Sequence, residues 1–217
     1  MAGGAAPVCL AVAMRRTPHF TVRDPEAVKR LIREHPWATI VSNTKQGLVA
    51  SHYPIMVEED REDFSIVSHV GKPDDRDLEL GEHEVMIIVQ GPHGYVSPGW
   101  YEVDQAVPTW NHVTAHLYGT PEILTDEENW EALSNLVAHF ENESPHPQLL
   151  EDNADYGRKI FSGTAGFRMV VDRFEARAKL SQNKSDDIID RVIDHLDGDG
   201  PWRQPHLADE MRREHER

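Results

Sequence analysis

The 217-residue sequence has one cysteine, Cys9, so no internal disulfide framework can form. Such usage suits a reducing cytosol, and cytoplasmic residence is the expectation. No apolar run approaches the ~20 residues that a membrane span needs, so no membrane partner is expected. Positive charge is scarce. Lys and Arg number 22 against 38 Asp and Glu, a formal net charge of −16. That balance favours solubility and repels polyanions. A protein that neutralises DNA phosphates needs a basic face, so direct DNA binding is not expected. No internal repeat, GxGxxG or P-loop pattern occurs, which removes support for a Rossmann or NTPase function. No paired carboxylates or Ser/Cys–His set stands out as hydrolytic. No Cys pair or HExxH motif points to zinc, and no metal site is expected.

What is present is a moderately apolar chain, 39% hydrophobic, long enough to bury a substantial core in one domain. Residues 1–13 (MAGGAAPVCLAVA) are small and apolar and precede Arg15-Arg16. A secretory signal places its charges before the apolar core, so this order is wrong for one. The stretch reads as a disordered extension, with Met14 rather than Met1 as the functional start. Asp24-Pro25 opens a helix, with Asp as N-cap and Pro at the first helical position. Val28, Leu31 and Ile32 mark its apolar face, and Pro36 ends it. Strands are expected over Trp37–Ser42, Leu48–Tyr53 and Phe64–Val70. The turn Asn43–Gly47 makes the first two a hairpin. Pro54 closes the second strand, and Ile55–Val57 is a possible extension after a bend. Asp74–Leu80 reads as a short capped helix. Thr125-Asp126-Glu127-Glu128 is a capping box before an amphipathic helix running to about Glu141. A further short helix at Asn153–Phe161, strands at Phe167–Val171 and Phe174–Ala178, and a helix at Asp186–Leu196 complete the pattern. Strands separated by turns, with helices attached at intervals, argue an antiparallel α+β fold rather than alternating βαβ units.

The central stretch, Glu84–Gly119, concentrates the chemistry. Val85–Val89 reads as a buried strand, Gly91-Pro92 as its break, and Tyr95–Ser97 as a second short extended piece. Trp100, Trp110, two tyrosines, His93, His112 and His116 crowd around Pro92, Pro98 and Pro108. Such a set suits a wall against which a flat aromatic ligand stacks. On a strand His112, Thr114 and His116 share one face, with the two imidazoles about 13 Å apart. They cannot jointly hold one metal without a bend. Farther on, Lys179, Ser181, Gln182, Asn183 and Lys184 offer a cation, a hydroxyl and two amides in succession. Ser181, Asn183 or Ser185 could instead cap the following helix.

Three signatures in order, Gln90–Tyr101 (QGPHGYVSPGWY), Val107–Asn111 (VPTWN) and Lys179–Lys184 (KLSQNK), resemble the PaiB-like proteins, the FMN-binding negative transcriptional regulators. The resemblance spans roughly Met14 to Leu196. It implies an α+β fold: a mainly antiparallel FMN-binding split β-barrel with peripheral helices, usually a homodimer with the ligand between subunits. The implied organisation is an extension at 1–13, one split-barrel domain over 14–197 and a polar tail at 198–217, with a short terminal helix from Leu207 as an option within it. The implied cofactor is FMN, with Ser68, His69 and Lys72 at its phosphate, the ring near Trp100 or Trp110, and His93, Asn111, Lys179, Ser181, Gln182 and Asn183 completing the site. Many relatives carry GH-x-x-RANP where this chain has Ser68-His69-Val70-Gly71-Lys72-Pro73-Asp74-Asp75, which brings two carboxylates beside the implied phosphate. The superfamily also includes heme-dependent piperazate synthases, so heme with His69 as axial ligand is the alternative cofactor. Three functions follow from the resemblance: a flavin-linked oxidoreductase or ligand-sensing regulator, a heme protein, and a cofactor-less regulator acting through a protein partner.

Overall fold

A computed structural model describes Met14 and residues 17–216; the extension expected at 1–13 lies outside the described residues. Within them run β1 (Thr21–Val22), α1 (Pro25–Glu34), β2 (Trp37–Thr44), β3 (Gly47–Val57), β4 (Ser65–Gly71), α2 (Asp74–Asp77), β5 (Val85–Val96) and β6 (Thr109–Gly119). Then follow β7 (Glu122–Ile123), α3 (Asp126–Glu141), α4 (Ala154–Phe161), β8 (Thr164–Val170), β9 (Arg173–Lys179), α5 (Asp186–Asp197) and α6 (Pro205–His215). The strands form one antiparallel half-barrel sheet in the order β1-β9-β6-β5-β2-β3-β4-β8-β7. This is the expected α+β architecture.

Local chemistry explains most boundaries. The Asp24 side chain accepts from the Glu26 N–H, and α1 then buries Val28, Leu31 and Ile32. Thr125 and Glu128 form both bonds of the capping box at the start of α3. The β2–β3 hairpin turns on Lys45-Gln46, with Gly47 at φ 114°, where a side chain would be strained. Pro54 does not close β3. Residues 47–54 pair with β2 and residues 55–57 with β4, so Pro54 marks where the strand changes partners.

Gly91-Pro92 does not break β5 either. Gln90 faces Thr114 and His93 faces His112, three steps on β5 against two on β6, which is a bulge inside a continuous strand. Its glycines are there for packing. A Cβ at Gly91 would lie 2.6 Å from Leu31 Cδ1 of α1, and one at Gly94 would lie 3.0 Å from Leu207 Cδ2 of α6. Two helices thus close onto the strand where side chains are missing.

The inner face of the sheet, including Ile40, Ile87, Val89, Ala115 and Leu117, is sealed by α1, α5 and α6. Each large aliphatic side chain buried this way contributes about 1.5–3 kcal/mol. The segment 198–217, expected as a polar tail with room for a short helix from Leu207, carries α6 from Pro205, which buries Leu207, Ala208 and Met211. Arg30 holds the buried Glu210 carboxylate through two bonds of 2.8 and 3.1 Å, and Arg213 adds a third of 2.5 Å. A polar reading of this segment misses its apolar face because that face is only three residues wide.

Candidate ligand face of the sheet

Side chains directly paired across a ladder point to the same face, so the register dictates the makeup of the sheet's outer surface. One rung aligns Lys179, His112 and His93. The next aligns Arg177, Thr114 and Gln90. A third runs Glu175, His116, Ile88, Thr39 and His52. Beyond His93 and His112, the end of the face is capped by the pair Tyr95 and Trp110. Their rings meet edge-on at 6.1 Å, and Trp202 packs on Tyr95 at 5.2 Å. Trp110 is 56% exposed. Toward β2 and β3 the same face turns apolar, with Trp37 and Leu48 exposed.

Several of these groups are tuned by partial burial. Burial, with help from Arg177, Lys179 and His93, pushes the His112 imidazole below its ordinary value. Burial lowers His116 as well, against the opposing pull of Glu175. Both are therefore neutral near pH 7. His112 Nδ1 lies 3.2 Å from Thr114 Oγ1. His116 Nδ1 is buried without a hydrogen-bond partner among the described residues. Lys179 is lowered by burial first, then by Arg177 and Lys184. Its ammonium donates to the Trp110 carbonyl at 2.7 Å and to the Thr109 hydroxyl. In a chain of net charge −16 these rungs gather Arg177, Lys179 and four imidazoles, with Glu175 as their one carboxylate.

Of the expected site residues, the outer face brings together His93, Trp110 and Lys179. The others lie elsewhere. The Trp100 ring stacks on His195 of α5 at 4.9 Å, away from Trp110. Asn111 is fully buried and donates to Ser181 Oγ at 2.9 Å. Ser181 takes a left-handed φ of 67°. The Gln182 amide accepts from Leu180 N and donates to Ala178 O, which locks the β9–α5 turn. Asn183 is exposed. Ser185 holds the N-cap position of α5 without a capping hydrogen bond from its side chain. Most of the KLSQN element is thus spent on turn construction. Thr114 and His116 join the face as their strand spacing indicates, and Arg177, which no sequence motif singled out, joins it through register.

Ser68, His69 and Lys72 form a separate region at the end of β4. Ser68 is buried and donates to the Pro54 carbonyl at 2.7 Å. His69 lies beneath α3, where Met56, Val67, Ala132, Leu133 and Leu136 leave a cavity of about 10 Å³. Its ring meets Tyr53 edge-on at 6.1 Å, and burial lowers its pKa. A porphyrin does not fit there while α3 is in place, so His69 does not suit the heme alternative. The exposed Lys72 ammonium donates to the Ser162 carbonyl at 3.2 Å. A cleft of about 540 Å³ lies at the edge of the sheet, lined by Phe174–Arg177, Thr21–Arg23, Pro18 and Met14. Among the described residues no three His, Cys, Asp or Glu side chains converge as metal ligands, and no helix is long and apolar enough to cross a membrane.

The fold has relatives among solved structures. The FAD and heme binding protein of Mycobacterium smegmatis aligns with a TM-score of 0.56 at 17% identity, covering 78% of each chain. The flavocytochrome Anf3 of Azotobacter vinelandii gives 0.54 at 15% identity, covering 73% of this chain and 68% of that one. By sequence, the chain is 29% identical over 196 residues to the protease synthase and sporulation protein PAI 2 of Bacillus subtilis. That alignment covers 89% of this chain and 94% of the relative. A Saccharomyces cerevisiae protein, YKL070W, is 31% identical over 118 residues, covering 50% of this chain and 69% of its own length. The family model described as "Putative FMN-binding domain" matches residues 14–173. The chain belongs to this FMN-binding, PaiB-like family.

Proposed function

We propose that the chain binds a flavin, FMN by family membership, against the outer face of β5, β6 and β9, and that it works as a flavin-linked oxidoreductase or ligand-sensing regulator. The observation that carries this reading is the pair of adjoining rungs, Lys179–His112–His93 and Arg177–Thr114–Gln90, next to the exposed Trp110 ring. The chemistry of this donor set fits the group. Lys179 and Arg177 supply charge-assisted donors for a phosphate dianion. His112 and His116, held neutral, offer nitrogen donors and acceptors to the edge of a planar heterocycle without adding charge. Trp110 and Tyr95 supply flat apolar area. The bound flavin would contribute hydride or electron transfer, while the protein orients it and sets its electrostatic surroundings.

The apolar side of the same face, with Trp37 and Leu48 exposed and Val41, Met86 and Ile88 half-buried, supports a homodimer that encloses the ligand between two copies. Titration of FMN into the protein, followed by flavin fluorescence, tests the binding reading. Saturable quenching that weakens at least tenfold in Trp110→Ala is expected, and unchanged fluorescence at high protein concentration would end it. Sedimentation velocity of wild type and Leu48→Lys tests the dimer, which the lysine should dissociate.

A regulatory role is favoured by the similarity to the sporulation protein PAI 2. The net charge argues that such regulation proceeds through the ligand or a protein partner rather than by direct contact with DNA. Sequence-specific DNA binding that persists at moderate salt would overturn that part.

A further inference from the structure

The turn that leaves β4 gathers a second set of donors, separate from the outer face. Ser51 and Tyr53 stand two residues apart on β3 and so point the same way. Both donate their hydroxyls to one atom, Asp74 Oδ2, at 2.7 and 2.9 Å. The Tyr53 oxygen in turn accepts from the Gly71 N–H at 3.0 Å, which fixes the phenol in place. Lys72 lies in the same turn, with its ammonium on the Ser162 carbonyl. Ser51, Tyr53, Gly71 and Asp74 are all half-buried, so these bonds form at the rim of the fold rather than in its sealed core.

Two hydroxyls aimed at a single point are parts from which an oxyanion site is made. Here the point is already occupied by a carboxylate of the chain itself. Asp75 and Asp77 follow in α2, and Asp75 is also half-buried. An incoming phosphate would have to displace Asp74 from its two hydroxyls and sit against neighbouring negative charge. At contact distances like-charge repulsion is on the order of several kcal/mol at the effective dielectric of a protein surface.

We propose that Asp74 is a built-in anion that closes this turn to phosphate and other oxyanions. Removing its charge uncovers a latent phosphate site made by the Ser51 and Tyr53 hydroxyls. Asp74 therefore determines specificity by exclusion: phosphate-bearing ligands are kept off the β4 turn, and the cations of the outer face remain the place where a phosphate is met. The inference does not require a flavin on that face.

Thermal unfolding in phosphate, compared with chloride at equal ionic strength, tests it with inorganic phosphate as the probe. Asp74→Ala and the near-isosteric Asp74→Asn should each gain a phosphate-dependent rise in Tm of about 2–4 °C over whatever rise wild type shows. Adding Ser51→Ala to either variant should abolish the gain, because one of the two hydroxyl donors is then gone. A phosphate response in both Asp74 variants no larger than in wild type overturns the proposal. So does a gain that survives Ser51→Ala. If no flavin binds any of these proteins, the outer-face reading fails while the phosphate comparison still decides this one.

Discussion

The outer face of β5, β6 and β9 and the end of β4 start from similar material and end as opposites. Each brings histidine and lysine together, His69 on β4 with Lys72 just beyond it in the second case, and in each burial depresses an imidazole pKa. Among the described residues no helix covers the strands of the outer face, so His112, Thr114 and His116 stay half-exposed in rungs with Arg177 and Lys179. At β4 the corresponding face is capped by α3, and the turn beyond it is filled by Asp74. What separates the open face from the closed pocket here is the cover, not the residue types.

The sharpest way to break that contrast is to loosen the cover. Leu133→Ala removes a fully buried side chain between α3 and β4 and should cost about 2–5 kcal/mol in urea unfolding. FMN affinity should stay within about twofold, since additivity is expected for separate sites. A parallel loss of flavin would mean that the two regions are one. On the open side, Trp110→Ala should raise the FMN dissociation constant about tenfold, equivalent to ~1.4 kcal/mol, in fluorescence titration.

pH separates the regions less strongly but in a known direction. His69 has a depressed pKa in the folded state, whereas in the unfolded chain it takes up a proton near its ordinary value of about 6.5. Its contribution to stability is therefore intact at neutral pH and is lost as pH falls below about 6.5. Wild-type Tm should drop between about pH 7 and 5, following that titration. His69→Leu should flatten part of that slope, while a slope identical to wild type would place the sensitivity on the outer-face histidines. The smallest effect is expected from Lys72→Ala. Its ammonium is exposed and bonded only to a carbonyl, so FMN affinity should change by no more than about twofold. A large loss would put the phosphate at the β4 turn and contradict the division drawn above.

The local elements were legible in the sequence because short-range chemistry specifies them. Asp24-Pro25 and Thr125–Glu128 start helices with their own side chains, and alternation along Trp37–Thr44 and Thr109–Gly119 sets two faces. The resemblance carried by QGPHGY, VPTWN and KLSQN extended this to the family and the split barrel. Residues of the same motifs also have structural partners. Gly91 and Gly94 prove to be clearances for Leu31 and Leu207, and Asn111, Ser181 and Gln182 are bonded to one another's surroundings rather than open to a ligand. Those partners lie up to 113 residues away, counted from Gly94 to Leu207, and no local pattern announces them.

By itself, then, the chain's sequence determined which segments become strands and helices, which faces are apolar, and that the whole carries an excess of negative charge. Tertiary structure decided which polar residues meet. Register placed Lys179 beside His112 and His93, α3 closed over His69, and β3 carried Ser51 and Tyr53 to Asp74. The physical reason is range. Propensity, capping and periodicity act over a few residues, whereas ladder pairing and helix cover join positions far apart in the chain, and a ligand site is made of such joins.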